Sequence, residues 1–402
     1  MKFLNRWWVV VGSVFGLLVG NGPIMQFTFG VFLLPLGKEF GWSRSSTSLA
    51  LAIGLTVTAI FVPIAGRLVD RYGIRVVTLA SITLFSLALA SVAFFATTLT
   101  SFIIIYAIMG IGAAGQTPLP YAKAVSTWFD EKRGLALGVA MSGVGVGVAL
   151  VPKYAQSVMD QFGWRGAYLG LAILTFVVGV LAVLLASKEP SHHSVKQSAE
   201  DIPGLTARQA FRTATFWKLA IAFVAVVFAM NGALVHVVPM LIGRGVSADI
   251  AASSMAFAGV ALIAGRLLAG YMLDRVFAPY VASVLFAIPL VGLIILFATT
   301  TSGYASVAVV LIGLGLGAEV DLIAFLLSRY LGLKSFGEIY GYLFASFMIG
   351  NAVGPYVMSL SFDMTGSYHV GLAILGVALL VGSATVLSLG EYRYPQVKRQ
   401  GS

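Results

Sequence analysis

Runs of mostly apolar residues, each long enough to cross a bilayer, recur along this chain and fix the solvent in which it can fold. A helix rises about 1.5 Å per residue, so about 20 apolar residues span the hydrocarbon layer. Twelve such segments are read, at 8–35, 45–68, 76–97, 100–128, 134–158, 166–187, 216–241, 250–273, 279–299, 305–328, 337–360 and 368–390. Only helices and closed barrels satisfy their own backbone in lipid, and these runs are too long for barrel strands. Composition agrees: 59% of the 402 residues are hydrophobic and 10% are charged, against about 25% charged in an ordinary soluble domain. A soluble protein with this surface would aggregate. The expected class is all-α integral membrane, with twelve transmembrane helices in two six-helix bundles.

The start "MKFLNRWW" has the charge of a signal peptide, but the apolar run behind it is too long and no small-x-small cleavage site follows. It reads as a retained first helix, with Trp7 and Trp8 in the interfacial belt. With the N-terminus inside, the cytoplasmic segments and the cytoplasmic ends of the spans hold eighteen of the 25 Lys and Arg residues. The outer loops hold Lys38, Arg44, Arg165 and Arg244, and deeper in the spans lie Lys123, Lys153 and Arg266. That bias places both termini in the cytoplasm. It also accounts for the net charge of +10 without a nucleic-acid partner. The absence of cysteine excludes disulfide and thiol chemistry.

Residues 188–214 form the one long polar break. The expected organisation is a six-helix bundle over 1–187, a cytoplasmic linker over 188–214, a second bundle over 215–391 and a tail over 392–402. Thr206 and Gln209 stand at capping-box spacing, so a short surface helix follows them. His192 and His193 read as solvated loop rather than a metal site, since no other ligand is near. The halves repeat: "AGRLVDR" (65–71) matches "AGYMLDR" (269–275), and "YLGLAIL" (168–174) matches "HVGLAIL" (369–375). Parallel six-helix repeats place a binding site near the bilayer midplane.

The first copy continues as "GRLVDRYGIR", with Gly66, Asp70, Arg71, Gly73 and Arg75 in G-x-x-x-D-R-x-G-x-R spacing. With twelve spans and the duplication, the chain resembles the major facilitator superfamily over nearly its whole length. Glycines there permit close helix approach, and Asp70 with the arginines is expected to form an ion-pair latch between helix ends in one transport state, the alternative being that these charges only anchor the helices at the interface. The second copy keeps Gly270, Asp274 and Arg275 but continues "VFAPY", so a weaker latch is expected.

Arg266 stands mid-helix, about 12 Å along the axis from Asp274, too far to snorkel. A charge at that depth costs at least about 2.5–3.5 kcal/mol, so it must face a wet cavity or a counter-ion. Its planar fork suits a carboxylate. The tenth span, "IGLGLGAEVDLIAFLLSRY", carries Glu319 and Asp321. Two residues apart, they point roughly 200° apart on a helix, so they cannot both face one cavity squarely. An acid taken out of water favours its neutral form unless a cation is near, which suits a proton-coupling group. A structural ion pair with Arg266 is the plainer reading of the same residues.

The arginine before "AGYMLDR", then "GAEVDL" and "YLGLKSFGEIYG", is similar to the bacterial branch of the monocarboxylate transporter and oxalate:formate antiporter families. The resemblance implies that Arg266 holds the substrate carboxylate. Phe347 stands where oxalate-type exchangers carry a lysine, so a monoanion fits better than a dianion. Leu262 and Gln26 stand where animal monocarboxylate carriers place an aspartate and a lysine. Their proton relay does not carry over, and Glu319 or Asp321 would replace it. Gln26, Gln116, Tyr121, Asn231, Tyr340 and Asn351 are further candidates for substrate hydrogen bonds, or equally for joining helices. Pro118 and Pro120 are expected to kink the fourth helix. Lys123 either attracts anions or anchors its helix, and His236 reads as packing.

The expected function is secondary transport of a small monocarboxylate, lactate- or pyruvate-like, with a proton, in a bacterial inner membrane. Organic anion exchange and drug efflux remain open alternatives. The expected partners are the carboxylate, a proton and lipid. The chain is expected to be a monomer without metal or cofactor. No metal spacing, nucleophile elbow or phosphate loop points to an enzyme.

Overall fold

The computed structural model describes residues 2–42, 44–186, 203–245, 248–298 and 302–394. Residues 188–202 of the expected linker, with His192 and His193, lie outside them, as do residues 395–402 of the tail.

The described chain is helical: α1 (Lys2–Leu18), a π-helical turn (Gly22–Phe27), α2 (Phe29–Phe40), α3 (Arg44–Tyr72), α4 (Ile74–Phe95), α5 (Leu99–Ala114), α6 (Pro118–Trp128) and α7 (Arg133–Ala186) come first. The short α8 (Ala207–Ala210) precedes α9 (Ala214–Gly243), α10 (Ala248–Leu273), α11 (Ala278–Ala298), α12 (Ser302–Tyr330), α13 (Phe336–Thr365) and α14 (His369–Leu387). Among the described residues, ten stretches are long and apolar enough to cross a membrane. The stretch Arg133–Leu185 holds two passes, because Gly163 breaks α7 at φ 70°. Helix α10, whose apolar part is Phe257–Leu273, completes the twelve.

Local sequence explains the breaks. The expected first span is not one continuous helix. Gly20, Gly22 and Pro23 interrupt it, and the chain passes through the π-helical turn before α2 continues to Phe40. Proline withholds an amide and glycine has no side chain to favour the helical state, so regular hydrogen bonding fails there. The fourth span parts at Gly115–Thr117, and Pro118 starts α6 where its missing N–H is not needed. Thr98 and Ser101 cap α5 reciprocally, and Thr206 and Gln209 do the same for α8.

The chain condenses into two compact units. One comprises Met1–Phe129, Val139–Ile202 and Ser335–Tyr342; the other comprises Asp130–Gly138, Pro203–Lys334 and Leu343–Ser402. Inside the first, Phe32 stacks on Tyr168 at 4.1 Å between ring centres, and the Tyr106 and Tyr168 hydroxyls share a 2.8 Å hydrogen bond. Inside the second, α10 and α12 touch through backbone. A Cβ on Gly265 would collide with the Leu314 carbonyl, and one on Gly317 with the Leu262 carbonyl. Large apolar side chains such as Leu87, Phe94, Ile173 and Val260 face outward, more than 60% exposed. That arrangement is stable only where the surrounding solvent is itself apolar.

Candidate functional site

Arg266 on α10 and the two acids of α12 come together inside the second unit. Arg266, Glu319 and Asp321 are 5%, 2% and 0% exposed. The glycine contacts between α10 and α12 bring the arginine this close. Its Nε donates to the Gly317 carbonyl at 2.9 Å and lies 3.6 Å from Asp321 Oδ2. In a regular helix that carbonyl also receives the amide of residue 321, so the guanidinium meets one turn of α12 at both backbone and side chain. Neither oxygen of Asp321 is hydrogen-bonded, and Glu319 Oε1 is buried without a partner. Arg266 is thus within ion-pair distance of Asp321, while Glu319, two residues earlier on the same helix, has Oε1 buried without a partner.

The other site candidates divide between the units. In the second, Phe347 is buried and stacks on Phe344 at 5.5 Å, while Asn231 and Asn351 are half-buried. His236 Nε2 lies 3.0 Å from the Pro355 carbonyl and 3.1 Å from Ser359 Oγ, so it joins α9 to α13. In the first unit, Gln26 is half-buried on the π-helical turn. Gln116 donates to the Ser81 carbonyl at 3.3 Å, and the buried Tyr121 ring packs on Gly16, where a Cβ would overlap it. Both contacts serve helix packing. Tyr340 is buried and stacked on Phe336 at 5.9 Å.

The motif acids form a second, distinct constellation. Asp70 accepts the Gly337 amide at 2.9 Å and the Glu338 amide at 2.8 Å, at the start of α13. Gly66 allows this, because a Cβ there would strike the Gly337 carbonyl. Asp274 accepts the Gly134 and Leu135 amides at 2.7 and 2.9 Å, at the start of α7. Gly270 is its spacer, since a Cβ would sit 2.6 Å from the Gly134 carbonyl. Each acid thus occupies a helix N-terminus, where the orphan amides and the dipole favour a negative charge. Burial pushes the Asp274 carboxyl above its ordinary range, and the two amides oppose that shift.

In this structure Asp70 holds the two amides and Lys123 Nζ, the latter at 2.6 Å, while Arg71 lies over the Tyr72 ring at 5.1 Å and Arg275 over the Tyr271 ring at 3.6 Å. Arginine beside its own aromatic neighbour gains cation–π contact without giving up water. Gly73, at φ 84°, turns the chain from α3 into α4, and Arg75 lies exposed on the first turns of α4.

The sequence pattern does not single out three further contacts at these helix ends. Arg67 pairs with Glu338 at 2.6 Å, Arg329 donates to Asp130 at 2.9 Å, and Arg133 donates to Ser328 at 2.9 Å. A signal for the amide partners exists in the sequence. Gly134 and Gly337 stand 203 residues apart, inside the 201–204 offset of the repeat. Among the described residues no cluster could hold a metal ion.

A sequence profile of the Major Facilitator Superfamily matches residues 14–355. The chain belongs to the major facilitator superfamily. Its relatives include monocarboxylate transporter 13 of Bos taurus, 25% identical, with 96% of this chain and 89% of that protein covered. Monocarboxylate transporter 11 of Homo sapiens is 26% identical, with 95% and 82% covered. In structure it is similar to the E. coli fucose:proton symporter FucP, at a TM-score of 0.73 and 14% identity over 96% of this chain and 98% of that one. That likeness establishes the fold of the superfamily. As a superfamily member the protein is an integral membrane transporter and not an enzyme.

Proposed function

We propose that this transporter carries a small monocarboxylate together with a proton, by alternating access, across a bacterial cytoplasmic membrane with both its termini inside. The observation that carries the reading is Arg266, a buried guanidinium in a span with a carboxylate 3.6 Å away. A site that stabilises Asp321 beside the guanidinium has the chemistry to receive a carboxylate from a substrate. Arginine stays protonated throughout a cycle and offers two parallel hydrogen bonds to a planar anion. Glu319 or Asp321 takes the proton, so anion and proton cross as a neutral set. The names of the relatives support the substrate class, and the fucose:proton symporter offers a precedent for proton coupling within the fold. Phe347 in place of a second cation favours a monoanion over a dianion. In the same unit as Arg266, Asn231 and Asn351 are the residues assigned to substrate hydrogen bonds. The protein acts as a monomer.

The test is uptake of labelled lactate into proteoliposomes, with pyruvate, acetate, formate and oxalate as competitors. It is run with and without an inward proton gradient, for the wild type and Arg266→Lys. Gradient-driven uptake that collapses in the variant supports the reading. Uptake that ignores the gradient but needs internal anion makes the protein an exchanger. No carboxylate uptake by folded protein overturns the reading and leaves drug efflux in front.

A further inference from the structure

Two buried acids stand two residues apart on the helix that faces Arg266, and their contacts are unequal. Asp321 Oδ2 is 3.6 Å from Arg266 Nε, within ion-pair distance. Glu319 Oε1 is buried without a hydrogen-bond partner, and among the described residues the ion pair of Arg266 goes to Asp321. Among the described residues, the other helices packed on α12 supply no compensating charge. The described side chains of α10 contribute Arg266, and α11 carries no charged residue. Helix α9 carries Lys218, bonded to the Ser388 carbonyl, and His236, held by Pro355 and Ser359.

A desolvated carboxylate without a partner costs several kcal/mol, and breaking a buried pair is strongly destabilising. One guanidinium neutralises one carboxylate. Arg266 and the two acids are therefore neutral together only when one acid carries a proton, and the unequal contacts decide which. Arriving substrate changes the count. A monoanion on Arg266 takes the place of Asp321, which must then take a proton from water or be left as an unpaired buried charge. The Asp321 contact is suited to that exchange, because neither of its oxygens is hydrogen-bonded and the arginine Nε already serves Gly317.

From these contacts we infer a division of labour, resting on the carboxylate reading above: Glu319 keeps a resident proton throughout the cycle, while Asp321 is the group that trades its ion pair with Arg266 for a proton when substrate binds. Glu319 is then a positioning residue that keeps the site's charge in balance. Asp321 is the coupling residue.

The near-isosteric variants Glu319→Gln and Asp321→Asn separate the roles. Infrared difference spectra of purified, substrate-free protein at neutral pH should contain a protonated-carboxyl C=O band that is lost in Glu319→Gln and kept in Asp321→Asn. The reverse pattern, or no such band in either comparison, overturns the assignment. This readout does not require transport, so it stands even if the wild type carries no carboxylate and the functional reading falls. In the proteoliposome assay, Glu319→Gln should keep the stimulation by a proton gradient. Asp321→Asn should lose it while still exchanging internal for external anion. Loss of stimulation in Glu319→Gln with retention in Asp321→Asn would again overturn the assignment. Circular dichroism and monodispersity in detergent confirm that each variant is folded.

Discussion

Asp274 repeats at the start of α7 what Asp70 does at the start of α13. Each carboxylate accepts two consecutive backbone amides, at 2.7 and 2.9 Å in one case and at 2.9 and 2.8 Å in the other. The acids differ in their cation. Lys123 lies 2.6 Å from Asp70, with both side chains mostly buried. The glycine and arginine missing from the second copy predict a weaker latch there, and the lysine of the fourth span is a further difference between the two.

Replacing Asp70 by Asn should therefore cost more than replacing Asp274 by Asn. Each loses charge-assisted cap bonds, on the order of 1–2 kcal/mol, but Asp70→Asn also strands Lys123. Thermal unfolding of the purified variants measures the order. The coupling between Asp70 and Lys123 follows from the double variant. Equal losses, or no coupling, would show that the lysine is a bystander.

The contact between α10 and α12 predicts opposite outcomes for two glycines. A Cβ at Gly317 would overlap the Leu262 carbonyl, so Gly317→Ala should push the helices apart and destabilise by about 1–3 kcal/mol or more. It should also displace Arg266 from the Gly317 carbonyl and lower carboxylate uptake. At Gly259, in α10, nothing lies within 4 Å of the added carbon. Gly259→Ala should be neutral, or stabilising by up to about 1 kcal/mol. A Gly317→Ala protein with wild-type melting and uptake would refute the close contact.

Acid should weaken the region around Glu39. The Trp164 indole N–H donates to one carboxylate oxygen, and Arg165 Nη1 approaches the other at 2.7 Å. Those bonds, first the tryptophan's and then the arginine's, hold the Glu39 carboxyl below its ordinary range. A lowered native value means that the unfolded chain binds the proton more readily. The contribution is present at neutral pH and disappears as pH falls through the lowered value. Glu39→Gln should melt below the wild type at neutral pH and converge with it in acid, followed by tryptophan fluorescence. A gap unchanged down to strong acid would contradict this.

Phe347 sets charge selectivity in the proposed function. Phe347→Lys should raise the potency of oxalate and lower that of lactate in the competition assay, since a second cation suits a dianion. Its burial at 7% exposure predicts some loss of stability as well. Oxalate potency unchanged in folded protein would remove Phe347 from the site.

The sequence makes some of this legible. Charges in a span are so costly that Arg266, Glu319 and Asp321 stand out by composition alone, and Asp321 does face Arg266. The duplicated "AGxxxDR" marks both helix-end acids. What they hold was hidden, because a backbone amide has no residue type to read. Lys123 was ambiguous for another reason: its partner lies on a different helix, and linear spacing does not show which helix ends meet. The interruption of the first span depends on how Gly20, Gly22 and Pro23 compete with the apolar run around them. Tertiary packing decides that contest.

The compact units do not coincide with the two repeats. Each takes the opening turns of one helix, 130–138 or 335–342, from the opposite half of the chain. A half severed at the linker would keep its aspartate and lose the amides that aspartate serves. Each unit is therefore assembled from both halves of the chain, and neither half holds a complete set of helix-end contacts on its own.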